Sequence, residues 1–222
     1  MTTPVVEQPD PCQKIAQLKN DDVFKQKMNI LKGAAEQWSF EKMFTVYDDP
    51  TPNTEISQSD NYDYDEFQGT ASNPFVSWTG NSTIKGVIHS HYDGLLSVPS
   101  PTDLQDMYNQ LLTPTVTSDF FYGVVTHSGK AYILQVNDRS NFINFGNKNL
   151  INNKINKFIK NKIIKKYNIK ENNTNATNEL GFVKMLEELN VGLNIYKATD
   201  LTFSDYQKLE IQNNQVTATP CN

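Results

Sequence analysis

The stretch FFYGVVTHSGKAYILQV, residues 120 to 136, constrains the fold more than any other part of the chain. Two apolar runs, each too short to be anything but a strand, are joined by His127, Ser128 and Gly129, which predicts a β-hairpin. TIKGVIHSH (83 to 91) and EKMFTVYDD (41 to 49) add two further strands with alternating character. Amphipathic segments lie between them. Asn20, Asp21 and Asp22 precede a helical pattern marked by Phe24, Met28, Leu31 and Ala35, and PTDLQDMYNQLL (101 to 112) places Leu104, Tyr108 and Leu111 on one side of a second helix. Strands interleaved with helices predict an α/β or α+β domain built on a mixed β-sheet flanked by helices.

The remaining segments are less regular. Pro50 to Ser82 is rich in Pro, Asn, Ser, Asp and Gly and predicts a long surface loop, its DNYDYDEF portion a solvated acidic stretch without the spacing of a calcium loop. After the hairpin, Ile151, Ile155, Phe158, Ile159 and Ile163 mark an apolar stripe on a lysine-rich helix. Such a helix packs on a core with a solvated basic face, or binds a membrane surface or an acidic partner. FVKMLEEL (182 to 189) predicts another helix, and GLNIYKA (192 to 198) and YQKLEI (206 to 211) closing strands. The organisation is a tail over residues 1–12 and one domain over 13–222.

The 222 residues, 37% hydrophobic, suffice for one real core, and the net charge of −5 argues against a nucleic-acid surface. No apolar stretch approaches the roughly 18 residues of a transmembrane segment. The start of the chain lacks signal-peptide features, which fits an intracellular protein or an exported fragment of a longer one. Cys12 and Cys221 stand near the two ends. Either they pair, or they are two unrelated thiols; two cysteines alone do not make a structural zinc site.

The candidate chemistry is concentrated in GVIHSHYDGLLSVPSPTD, residues 86 to 103. On a strand, side chains two apart share a face, about 6.5–7 Å apart along the chain. His89 and His91 can therefore converge on one ion, with Asp103 as a third ligand and water in the open position of a catalytic zinc site. Ser100-Pro101-Thr102-Asp103 is at the same time a strong helix start, with a serine N-cap, proline at N1 and an acid at N3. Both readings stand together, because a capped helix can still aim Asp103 at the preceding strand. Only His127 remains as another histidine, so metal centres richer in histidine are beyond this chain.

His89-x-His91, eight residues, then Ser100-x-x-Asp103 resembles the signature of the JAMM (MPN-plus) zinc metallopeptidases, in a divergent bacterial form. The likeness covers residues 20 to 136 as an order of elements: helix, strand, strand, motif, helix, hairpin. The gap before Ser100 is one residue longer than usual, and Tyr92 stands where proline is common in that family. The resemblance implies a cytidine-deaminase-like core, with a helical and closing-strand extension from about residue 140 to 222. It implies Zn2+ on His89, His91 and Asp103, and an upstream glutamate as general base. Glu41, at the start of a strand, fits that role, with Glu36 as its rival at the end of the first helix. Ser100 would hydrogen-bond the oxyanion, and the reaction would be hydrolysis of an amide or isopeptide bond in a peptide or protein substrate. A non-catalytic scaffold, or a partner-binding domain of a bacterial surface or effector protein, is the alternative. Cell-wall peptides are a further substrate class that the same chemistry permits.

Overall fold

A computed structural model describes residues 12–48, 62–76, 78, 83–114 and 116–221. In chain order the elements are α1 (Gln13–Asn20), α2 (Asp22–Gln37), β1 (Lys42–Asp48), β2 (Tyr62–Gln68), β3 (Ile84–His91) and α3 (Pro101–Leu111). There follow β4 (Val116–Thr126), β5 (Ala131–Val136), α4 (Arg139–Asn149), α5 (Lys154–Phe158), a π-helical segment (Ile159–Ile164) and α6 (Asn175–Glu188). The chain closes with β6 (Leu193–Ala198), β7 (Tyr206–Gln212) and β8 (Gln215–Pro220).

Among the described residues, eight strands form one mixed sheet in the order β2-β1-β3-β4-β5-β6-β7-β8. Only β3 and β4 run parallel, because α3 carries the chain back across the sheet between them; every other neighbour pair is antiparallel. Helices cover both faces. Phe24, Met28 and Leu31 of α2 pack with Ile15 and Leu18 of α1 against Phe44, Ile88, Val125 and Ile133. On the other face, Leu104, Met107, Tyr108 and Leu111 of α3 join Phe142, Phe145, Phe158 and Phe182 over Val87, Val124, Leu134 and Ile195. Alternation along β3 therefore sends Ile88 to one core and Val87 to the other. Gly86 allows the Phe121 ring of β4 to lie where a Cβ would otherwise sit, 2.5 Å from its ideal position.

The hairpin, the first helix and the strands at 41 and 83 form as the sequence predicts. Four features differ. The acidic segment 62–68 is not loop but the edge strand β2, paired with β1 along its whole length. Its Tyr-Asp alternation has the period of a strand, and charged side chains protect an open sheet edge from pairing with other chains. The rest of the expected loop, apart from 69–76 and 78, lies outside the described residues. The single basic helix expected from the isoleucine stripe is broken into α5 and the π-helical segment, and α4, which has polar and Asn-rich sequence, precedes it. Buried Phe142 and Phe145 hold α4 down, while the Asp138 carboxylate accepts from the Asn141 N–H at 2.9 Å to cap it. The closing strands expected at 192–198 and 206–211 form as β6 and β7, but the region after residue 140 is not an extension beside the core. β6 pairs with β5, and β7 and β8 continue the same sheet, so this region completes the core. α1 and β8 add to what the sequence predicts.

Cys12 and Cys221 are joined by a disulfide, with Cα atoms 5.1 Å apart. It ties the start of α1 to the residue after β8. The Lys19 ammonium donates to the Cys221 carbonyl at 2.6 Å, and the Cys221 N–H to the Tyr206 carbonyl at 2.9 Å. Among the described residues, no helix is long and apolar enough to cross a membrane.

Candidate metal centre

The site is assembled where β1 begins, β3 ends and α3 begins. His89 and His91 share the face of β3 that carries Val87, turned toward α3, and are 2% exposed each. Met43 of β1 is registered against His89. Continuing that antiparallel register by two residues sets position 41 opposite position 91, on the same face. Sheet register thus brings Glu41 beside the two imidazoles. Its side chain and the two imidazoles offer ligand atoms that all lie within 4.8 Å of one another, a group able to hold a metal ion. Glu36, the rival, ends up half exposed on α2 and pairs with Lys32 at 2.7 Å.

Asp103 closes the cluster from the other side. Its Oδ1 is 3.3 Å from His89 Nε2, and its Oδ2 is 3.3 Å from His91 Nε2. Two ligands of a tetrahedral ion with bonds of about 2.0 Å are themselves about 3.3 Å apart. The position of Asp103 comes from its helix cap. The Ser100 N–H donates to Asp103 Oδ2 at 2.6 Å, and the Asp103 N–H donates to Ser100 Oγ at 3.1 Å, a reciprocal capping box. The Ser100 hydroxyl also shares a 2.7 Å hydrogen bond with Thr102 Oγ1. The Asp103 carboxylate thus serves both the capping box and the candidate site.

The orientation of the imidazoles decides what the cluster can bind. His89 Nδ1 lies 2.9 Å from the Gly123 carbonyl, and His91 Nδ1 2.8 Å from the Leu96 carbonyl. A carbonyl only accepts, so each Nδ1 carries the proton and each neutral ring turns the lone pair of Nε2 inward. Among the described residues, Nε2 of His89 is buried without a hydrogen-bond partner. Two lone pairs facing two carboxylates repel unless a positive charge sits among them. A proton on an imidazole or a metal ion meets that need, and backbone-anchored Nδ1–H with free Nε2 is the arrangement of metal-ligating histidine.

Without metal the groups polarise one another. Burial works to lower the His89 pKa, but the Asp103 carboxylate outweighs it, with Glu41 assisting, and pushes it up to about 9. Burial alone would raise the Asp103 carboxyl, yet the His89 and His91 imidazoles hold it well below the usual carboxylate range. Burial raises Glu41 above its ordinary value, and the charge of Asp103 adds to the effect while the imidazoles oppose it.

Beneath the pair lies a second layer that the motif does not contain. The Tyr122 hydroxyl donates to Asp106 Oδ2 at 3.0 Å, and the Tyr122 ring meets the His89 ring edge-on at 5.2 Å. Asp106 is three residues after Asp103, one turn along the same face of α3, a spacing that sequence alone makes visible. Asn178 is the other omission. This fully buried side chain on α6 donates from Nδ2 to the Lys170 carbonyl (2.8 Å) and to Ser97 Oγ (3.0 Å), and accepts the Lys170 N–H at 3.0 Å. It ties segment 167–173 to the loop whose Leu96 carbonyl orients His91, and no local pattern announces it. The third histidine stays apart, with His127 Nδ1 3.0 Å from the Ala35 carbonyl.

Comparison of the chain with protein-family models, with curated proteins and with solved structures returned no match in any of the three.

Proposed function

We propose that this protein is a zinc-dependent amide hydrolase, a metallopeptidase or isopeptidase similar in its site to the JAMM (MPN-plus) enzymes. The observation that carries the reading is the convergence of His89, His91, Asp103 and Glu41 from three separate elements, with a buried Nε2 at its centre that has no hydrogen-bond partner among the described residues. Nitrogen from imidazole together with carboxylate oxygen suits zinc among the common divalent ions, whereas magnesium and calcium prefer oxygen alone. In this reading His89, His91 and Asp103 hold the ion. Zinc, when bound, supplies a Lewis acid that makes a water molecule acidic near neutral pH.

The protein's own groups do the rest. Glu41 takes one proton of the attacking water at its carboxylate and delivers it to the nitrogen of the departing amine. The water oxygen bonds to the carbonyl carbon, the carbon–nitrogen bond breaks, and an acid and an amine leave. Ser100 lines the same cleft as Glu41 and His91, and its hydroxyl donates a hydrogen bond to the carbonyl oxygen as negative charge develops there. The Nδ1 hydrogen bonds to Gly123 and Leu96 keep both rings from turning.

Elemental analysis of the purified chain tests this directly. About one zinc per chain is expected, lost in His89→Ala, together with cleavage of peptides by the loaded protein. Zinc-free protein from metal-replete buffer, or full zinc content in His89→Ala, overturns it.

A further inference from the structure

The site occupies only one side of a larger hollow. A cleft of about 570 Å3 opens beside it, with Glu41, His91 and Ser100 along one wall. That volume is ordinary for a ligand site and holds a few residues of a peptide. The facing wall is apolar and comes from the far end of the chain, from Ile159, Ile163, Ile164 and Ile169. Phe75, 59% exposed, and Ile164, 42% exposed, both border it. Large apolar side chains left open on two sides of one cleft mark a binding surface.

The π-helical segment builds this wall. Five residues of α-helix turn through about 500°, which would set positions 159 and 164 about 140° apart. A π-helix bonds residue i to i+5, so the two fall one turn apart and share a side. Ile163, 2% exposed, roots the segment in the core at the base of the wall, and Ile159 and Ile164 line the cleft beside it. The neighbouring stretch at Lys170 is held by Asn178 on both its N–H and its carbonyl. The wall is therefore formed before any ligand arrives, which lowers the cost of binding.

We infer that this cleft seats a large aliphatic or aromatic side chain of a peptide or protein substrate, next to the amide that is cut, and that Ile164 and Phe75 set this preference. The position relative to the cut bond rests on the hydrolase reading above; the seating of an apolar side chain does not. Lys170, Glu171 and Asn172 border the same cleft and supply polar partners for a peptide backbone.

The test uses the full chain and fluorescein-labelled decapeptides that differ only in a central Leu, Phe, Gly or Asp. Anisotropy is read on the hydrolysis-blocked Glu41→Gln protein. The Leu and Phe peptides should bind about tenfold tighter than the Gly and Asp peptides, the worth of burying about half of one such side chain. Ile164→Asp should erase that difference, Ile164→Leu should keep it, and neither should change zinc content or Tm. Equal binding of the four peptides, or a silent Ile164→Asp, overturns the inference. Cleavage by the zinc-loaded wild type separates the two claims. Binding through Ile164 without cleavage removes the hydrolase reading and leaves the pocket. Cleavage without side-chain preference does the reverse.

Discussion

Replacement of Asp103 by asparagine removes a charge while retaining a cap, and its effect on the metal-free protein follows from the geometry. Asparagine is nearly the same size and can still accept from the Ser100 N–H, so α3 keeps its start. The charge facing His89 and His91 is lost. In the folded wild type, burial works to lower the His89 pKa, but Asp103 and Glu41 overcome it and lift it to about 9. An unfolded histidine titrates near about 6.5. A group raised on folding contributes its full stability below the unfolded value and loses it as pH climbs through the folded value. The window is therefore pH 6.5 to 9. Its full worth is about 3 kcal/mol, of which about 2–3 kcal/mol survives at pH 7. Asp103→Asn should forfeit most of that, a fall in Tm of about 5–10 °C for a chain of this size.

Urea unfolding of chelator-treated protein, followed by tryptophan fluorescence at about pH 6 and about pH 9.5, measures the effect. Wild type should be more stable than Asp103→Asn at the lower pH and nearly level with it at the higher. Asp103→Ala should lose about 1 kcal/mol more, because the capping box then lacks its N3 partner. Zinc should reverse the slope, since imidazole must be neutral to ligate, and metal stabilisation then grows as pH rises. Parallel stability curves for wild type and Asp103→Asn across the interval, or metal-free wild type gaining stability toward pH 9, would refute the reasoning.

Glu41→Gln should keep about one zinc per chain and the wild-type Tm while losing peptide hydrolysis, and Glu36→Gln should change none of these; loss of metal in Glu41→Gln would make Glu41 a ligand instead of the base. Asn178→Ala should cost about 1–3 kcal/mol in urea unfolding, because its buried side chain gives up three hydrogen bonds to partly buried groups of Lys170 and Ser97, and should weaken peptide binding without changing zinc content. Replacing both Cys12 and Cys221 by serine should lower stability by up to roughly 5 kcal/mol, the loop-closure entropy of a ring spanning 209 residues. A double-serine protein as stable as the oxidised wild type would show that the ends are held by α1 and β8 packing alone.

Much of the site was legible because its logic is local. Strand periodicity puts His89 and His91 on one face, and the Ser-Pro-Thr-Asp start puts Asp103 in the first turn of a helix. Both are rules of a few consecutive residues, so they survive without knowledge of the fold. The hairpin at 120–136 was legible for the same reason, its two apolar runs being separated by a turn. The edge strand β2 was misread although its alternation was in view, because acidic residues in a Pro- and Asn-rich neighbourhood outweighed the period.

What only the tertiary structure decided are the matters that depend on pairing between distant segments. That Glu41 and not Glu36 lies beside the two imidazoles follows from the Met43–His89 register, which is set by how two strands 46 residues apart pack together. Asn178 is an ordinary polar residue until folding buries it against Lys170 and Ser97. α4 is held by aromatic side chains that find their partners on α3 and α5, not by its own propensity. Of the isoleucines that looked like one stripe of an α-helix, Ile159 and Ile163 line the cleft, and Ile164, outside that stripe, joins them where the backbone widens into a π-helix. A short stretch of sequence records its own periodicity and capping chemistry; which surfaces meet is a property of the whole chain's packing, where burial energy is gained only once the partners are in place.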